Sequence, residues 1–177
     1  VVEGLVEMYA GHAGRETTVS VVAPVGTFIL AAVIRDAQHL QSARTLARSR
    51  LLMIPASSIR EAIAADPLFA AAAMAQLAQE YRDVVRSLKG QKLRNGAERL
   101  ANWLLQRSAD GHATIEMPFE KRVLASLLGM TPENLSRAFK TLQPYGVCVD
   151  GTTITLADRA DLMTLAKPDP LIDDPSV

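Results

Sequence analysis

The chain has 177 residues, 19 of them Lys or Arg and 19 Asp or Glu, so it is formally neutral at pH 7. That length holds one or two domains, and 49% apolar residues are enough for a real core. The lone cysteine, Cys148, excludes a disulfide framework and any Cys₄ metal or iron–sulfur site built from this chain alone. No apolar run reaches the ~18 residues of a spanning helix, and no signal peptide is visible, so a cytoplasmic setting without membrane contact is expected.

Residues 1–55 read as strands. Leu5, Val6, Met8 and Tyr9 lead into a turn at Gly11 to Gly14, the β-branched run Thr17 to Val22 follows, and Leu51 to Ile54 is stopped by Pro55. Short strands between Gly and Pro turns suggest an antiparallel barrel or sandwich. Val1 already lies in a strand-like segment, so upstream strands are expected to be absent from this sequence. Phe28, Ile29, Leu30, Val33 and Ile34 suit the filling of such a roll, or the lining of an apolar slot.

Ser57 to Ala64 is a short helix, and Asp66-Pro67 opens a long one. On it Ala70, Met74, Leu77, Tyr81, Val84 and Leu88 recur at spacings of 4, 3, 4, 3 and 4, an a/d seam. A core-facing stripe is the ordinary explanation; the regularity favours a homodimer. Arg82, Arg86, Lys89, Lys92, Arg94 and Arg99 form a basic cluster able to meet phosphates, and the first three could equally be a solvated helical face. Gly90 and Gly96 predict a hinge between Leu88 and Gly96. A helix over Ala97 to Arg107 then carries Leu100, Trp103 and Leu104 on one face.

A strand over Ala113 to Met117 follows the Asp110-Gly111 turn. Next comes the most informative stretch, Phe119 to Val147, which reads as a helix-turn-helix. Its first helix runs from Glu120 to Leu128. Ala125 permits a close crossing, and Gly129 suits the positive φ where the chain leaves that helix. Thr131 caps the second helix and Pro132 sits in its first turn. Leu135, Phe139 and Leu142 fall on an inward face; Glu133, Ser136, Arg137 and Lys140 fall outward. Arg can bond guanine bidentately, Glu can accept from cytosine, and Ser can do either, so this face suits the major groove. A polar face by itself is equally a solvated helix in a bundle; turn, cap and two-faced pattern together favour DNA. A hairpin over Val147 to Val149 and Thr153 to Leu156, turning at Asp150-Gly151, forms a wing. Asp158 to Leu165 closes the domain, and residues 166–177, rich in Pro and Asp, are expected to be disordered.

The order β domain, long helix, winged helix-turn-helix resembles the CRP/FNR superfamily of bacterial transcription regulators. GLVEMYAGHAGRETTVSVVAPVGTF is similar to the middle of that family's effector-binding roll. IPASSIREAIAADPLFAAAAMAQLAQEYR is similar to its end and to the dimer helix, and ERLANWLL leads into the reading domain. The resemblance implies an α+β fold: a cyclic-nucleotide-binding-like β-roll (jelly roll) over 1–65, a dimerisation helix over 66–89 and a winged helix-turn-helix over 90–165. It implies a homodimer on double-stranded promoter DNA, with RNA polymerase as a further partner, and no catalytic activity. Glu133-Asn134-Leu135-Ser136-Arg137 matches the E-x-x-S-R of the FNR-like branch, which implies TTGAT-like half-sites read by Glu133, Ser136 and Arg137, with Thr131, Asn134 and Lys140 beside them. Pro132 stands where cyclic-AMP-type members carry an arginine.

The sensor departs from the cyclic-nucleotide pattern. Its phosphate cassette, Gly-Glu and then Arg-Ser-Ala or Arg-Thr-Ala, corresponds here to Thr27 to Leu30 and Gln41-Ser42-Ala43. A cyclic phosphate buried without a cation has nothing to offset its desolvation, so cyclic AMP is not expected. Phe119 to Gly151 is similar to the NnrR/DNR branch, which implies a nitric-oxide response through haem and control of denitrification genes. His12 and His39 are then the candidate haem ligands, although surface solvation is the ordinary role of each; His112 lies too far along for sensing. The alternatives are another small-molecule effector, constitutive DNA binding, or an enzyme on a cupin-like barrel. The last needs clustered metal ligands, for which His12 and His39 have no suitably spaced acidic partner.

Overall fold

The structure, a computed structural model, describes residues 1–108 and 114–174. The Asp110-Gly111 turn, His112 and the start of the strand expected at Ala113 lie outside the described residues, as do the last three of the tail. The chain divides into two compact units, 1–83 and 84–177.

The first unit is built on a three-stranded antiparallel sheet. Strands β1 (Val6–His12) and β2 (Arg15–Val22) form a hairpin, and β3 (Ser42–Thr45) pairs with the other edge of β1. Central β1 is covered on both faces, so Val6, Glu7 and Met8 are all buried. A buried carboxylate requires partners. Glu7 accepts from the Thr18 hydroxyl at 2.5 Å and from Arg44 Nε at 2.6 Å. The Arg44 guanidinium also reaches Glu16 at 3.0 Å and lies 4.1 Å from the centre of the Tyr9 ring. Its hydrogen bonds to Glu7 and then Glu16 raise its pKa further above the ordinary arginine value.

Two expectations change here. Leu51 to Ile54 is not a strand: past the isolated Glu3–Arg50 bridge it pairs with nothing, and Leu52 and Met53 are exposed. Helix α1 (Leu30–Arg35) falls where roll-filling residues were expected, and none of its residues is fully buried. It rests on α2 (Ala56–Ala65), where Arg60 bonds the Val33 carbonyl and Asp36, each at 3.0 Å.

Helix α3 runs from Pro67 to Leu93. The expected hinge is therefore narrower than Leu88 to Gly96. Gly90 is helical, Gly96 is the first residue of α4 (Gly96–Arg107), and only Arg94 and Asn95 separate the helices. The Asn95 side chain accepts from Glu98 N while Glu98 bonds back to Asn95 N, a capping box that starts α4 sharply.

The second unit packs α4 against α6 (Pro132–Leu142) and α7 (Arg159–Ala166), and α5 (Lys121–Leu127) against α6. Leu100, Leu104, Leu124, Leu135, Leu142, Ile154 and Leu162 are fully buried. Strands β4 (Thr114–Glu116), β5 (Val147–Asp150) and β6 (Thr153–Leu156) form a second sheet in the order β4-β6-β5. Asp150 pairs with Thr153, so the two-residue turn of the wing is Gly151-Thr152, one residue later than expected. Asp158 caps α7, as its position before the closing helix requires.

The tail corrects the sequence reading. Pro170–Asp173 is a short helix, α8, and Arg94 clasps Asp173 through two bonds of 2.7 and 2.6 Å. The aspartates of the segment expected to be disordered instead cap α8 and hold a part-buried arginine.

Helix α5 ends in a paired motif: Met130 N bonds Ala125 O and Gly129 N bonds Ser126 O, both at 2.9 Å. Gly129 has φ +64°, and a β-carbon there would lie 3.4 Å from the Gln91 side chain. Gly129→Ala should therefore cost about 1–2 kcal/mol, from left-handed strain alone, read as a lower urea midpoint at unchanged slope.

Candidate nucleic-acid interface

Helix α6 starts where the sequence predicts. The Thr131 side chain accepts from Asn134 N at 3.3 Å, and Pro132 occupies the first turn, where no N–H is needed. Leu135, Ala138, Phe139 and Leu142 are buried, which fixes the rotation of the helix. Glu133, Asn134, Ser136, Arg137 and Lys140 are consequently all exposed. One helix thus brings the predicted reading residues together on its open face, with Thr131 at the cap.

Their chemistry is partly set before any ligand arrives. A hydrogen bond from the Thr131 hydroxyl, then the residue's own backbone N–H, then the Arg137 charge hold the Glu133 carboxyl below its usual pKa. Glu133 is thus an anionic acceptor in the first turn, which the helix dipole also favours. The Ser136 hydroxyl donates to the Pro132 carbonyl at 3.0 Å, and Thr141 donates to the Arg137 carbonyl at 3.1 Å. The face offers carboxylate and hydroxyl acceptors beside a guanidinium and an ammonium, the groups that distinguish base edges.

The basic cluster divides. Arg94 is committed to Asp173, and Arg99 to the carbonyls of Leu128 at 2.8 Å and Arg94 at 2.6 Å. Burial lowers the Arg99 pKa, although Glu98 opposes the shift. Both arginines brace the fold, so the phosphate role open to them in the sequence does not hold. Lys89 reaches the Leu171 carbonyl at 3.2 Å. Lys121, which the sequence reading did not single out, lines a shallow cleft of about 480 Å³ with Glu120, Phe119, Gly151 and Thr152 beside the wing. Its only sequence signal was a basic residue at the start of α5.

On α3, Met74, Tyr81, Val84 and Leu88 are exposed, Tyr81 by 71% and Val84 by 60%, while Ala70 and Leu77 are half-buried. Among the described residues, most of the stripe is thus left open. In the first unit, His12 ends β1 opposite Arg15 at the hairpin tip, and His39 lies in the segment before β3; both are exposed. Among the described residues, no three His, Cys, Asp or Glu side chains group as a metal site, and no helix is long and apolar enough to cross a membrane.

Residues 98–165 match the Crp-like helix-turn-helix domain family, and residues 1–66 match the cyclic nucleotide-binding domain family. Among solved structures, the chain is similar to a protein of Silicibacter pomeroyi assigned as a cAMP-binding regulatory protein. That match has 28% identity and a TM-score of 0.66, covering 95% of this chain and 76% of the other. It is also similar to FixK2 from Bradyrhizobium japonicum, at 22% identity and TM-score 0.75, with coverage of 96% and 86%. A Crp/Fnr-family transcriptional regulator of Eubacterium rectale matches at 21% identity and TM-score 0.73, with coverage of 94% and 78%. No curated protein matches.

The open face of α6 gives two separable expectations. Arg137→Ala should cost about 1–3 kcal/mol on a TTGAT-type palindrome and relax preference at one base pair. Lys140→Ala should weaken all duplexes alike and flatten the salt dependence of binding. Titrations against the palindrome, its guanine-substituted forms and random duplex at fixed salt check both. An equal loss on all three for Arg137→Ala makes it a backbone contact.

Proposed function

We propose that the chain, whose two halves match the cyclic nucleotide-binding and Crp-like helix-turn-helix domain families, is a CRP/FNR-type DNA-binding transcription regulator that acts as an effector-gated homodimer reading TTGAT-like half-sites through α6. The observation that carries this reading is α6 itself: capped at Thr131, seated by Leu135 and Phe139, with Glu133, Ser136 and Arg137 open together. The bare stripe on α3 supports the dimer, since a contiguous apolar seam left in water is unfavourable and a second copy supplies the matching face. Glu133 accepts from a cytosine, Arg137 bonds the guanine, and Ser136 contributes an acceptor. The protein works by binding and population shift rather than by catalysis. A cytoplasmic location and contact with RNA polymerase belong to the same proposal.

The effector is proposed to be a small molecule other than cyclic AMP. The similar Silicibacter protein is named for cAMP binding, but Thr27 to Leu30 and Gln41 bring neither the carboxylate nor the arginine of a phosphate cassette. Arg44, close by on β3, already serves two carboxylates, Glu7 and Glu16. A cyclic phosphate would have to compete with both. Nitric oxide acting through haem, with control of denitrification genes, is the second reading. The likeness of Phe119 to Gly151 to the NnrR/DNR branch favours it, and the exposure of His12 and His39 counts against those two as ligands.

Two measurements bear on this. Replacing Leu77 and Val84 with Glu places charges within the proposed seam and should give monomers; sedimentation that still reports a dimer removes the seam assignment. Calorimetry should detect no binding of cyclic AMP, and micromolar binding would overturn that expectation. An absorption spectrum taken with haem, then with nitric oxide, separates the two effector readings. DNA titrations with and without candidate effectors distinguish a gated from a constitutive binder.

A further inference from the structure

The second unit contains a set of contacts that α6 and the wing do not use. Beyond α7 the chain turns at Lys167, held in a left-handed conformation, and runs back along α4 to the end of α3. Asn102 on α4 donates to the Ala166 carbonyl at 2.7 Å, and Gln106 donates to the Asp173 carbonyl at 3.3 Å. Asp173 also accepts from Asp169 N at 2.7 Å, which closes α8 on itself. On the other side, Lys89 of α3 bonds the Leu171 carbonyl at 3.2 Å, and Ile172 lies against Gly90.

At the centre, Arg94 grips Asp173 bidentately, with 9% and 12% of the two side chains exposed, and Arg94 Nη2 also reaches the Lys167 carbonyl at 3.5 Å. Arg94 is one of the two residues between α3 and α4. A planar fork on a carboxylate resists rotation as well as separation, which a single contact does not. The same stretch of α3 carries Val84 and Leu88 of the seam, and the domain it joins carries α6.

We propose that residues 167–174 form a clamp, in which Arg94 and Asp173 are positioning residues that fix the angle between the end of α3 and the recognition helix. In a dimer that angle sets the separation of the two recognition helices, so the clamp selects the spacing between half-sites. The proposal rests on the homodimer reading above. In this proposal the clamp meets neither base nor phosphate, so its effect falls on spacing and not on the affinity for one half-site.

The test compares the full chain with Asp173→Asn, which keeps shape and loses charge, and Arg94→Lys, which keeps charge and loses the fork. Each is titrated with a single half-site duplex and with palindromes whose central spacer is lengthened or shortened by one and two base pairs. Circular dichroism monitors folding. Both variants should hold the single half-site within about two-fold of the parent, yet lose about five-fold or more of the preference for the best spacing, a coupling-sized change. Variants that keep the parent's spacing preference overturn the clamp while leaving the dimer intact. Variants that lose half-site binding together with folding make the pair merely structural and overturn it too. A parent with no spacing preference removes the dimer reading, and the clamp with it.

Discussion

The left-handed turn at Gly129 is the constraint on which the reading face depends. Helix α5 ends through two backbone bonds that only a residue with positive φ can close easily, and Thr131 starts the next helix two positions later. With so short a connection, α6 has little freedom in where it begins. Its rotation is then fixed by burial, because Leu135, Phe139 and Leu142 must all face the core formed with α4. The outward orientation of Glu133 and Arg137 follows from those two facts, and no contact of their own is needed to hold them there.

Charge is used in the same way in both units. A neutral chain that reads a polyanion cannot rely on an overall field. Here carboxylates serve largely as internal partners: Glu7 and Glu16 hold Arg44, Asp173 holds Arg94, and Asp158 and Asp169 cap helices. Cations engaged in this way are unavailable to phosphates, whereas Arg137 and Lys140 stay exposed on α6.

The second unit was largely legible in the sequence, because the rules that govern it are local. Thr131-Pro132, Gly129 and the 3.6-residue rhythm of Leu135, Phe139 and Leu142 each specify geometry within a few residues, and the structure agrees at each. The first unit was less legible because its order comes from pairing across distance. Leu51 to Ile54 has the composition of a strand but no ladder partner, whereas Ser42–Thr45, with little strand character, pairs with β1 through Glu7–Arg44 and Met8–Ala43. The tail misled for a similar reason. KPDPLIDD has the composition of a solvated segment, and nothing local reveals that Asp173 meets an arginine 79 positions earlier. Glycine also misled: Gly90 and Gly96 suggested slack, yet both sit in regular helix.

The Ser136 hydroxyl bond to the Pro132 carbonyl has a consequence for the vocabulary of the reading face. While that bond stands, Ser136 has spent its only proton inside the helix and turns lone pairs outward. Glu133, as an ionised carboxylate, also shows only lone pairs. The helix therefore presents two receivers of protons in its first turns and two givers, Arg137 and Lys140, further along. Base edges that complement such a face carry amino groups opposite the first pair and ring nitrogen or carbonyl oxygen opposite the second. A change of sign in that order, even with every side chain still exposed and well packed behind, would spell a different word.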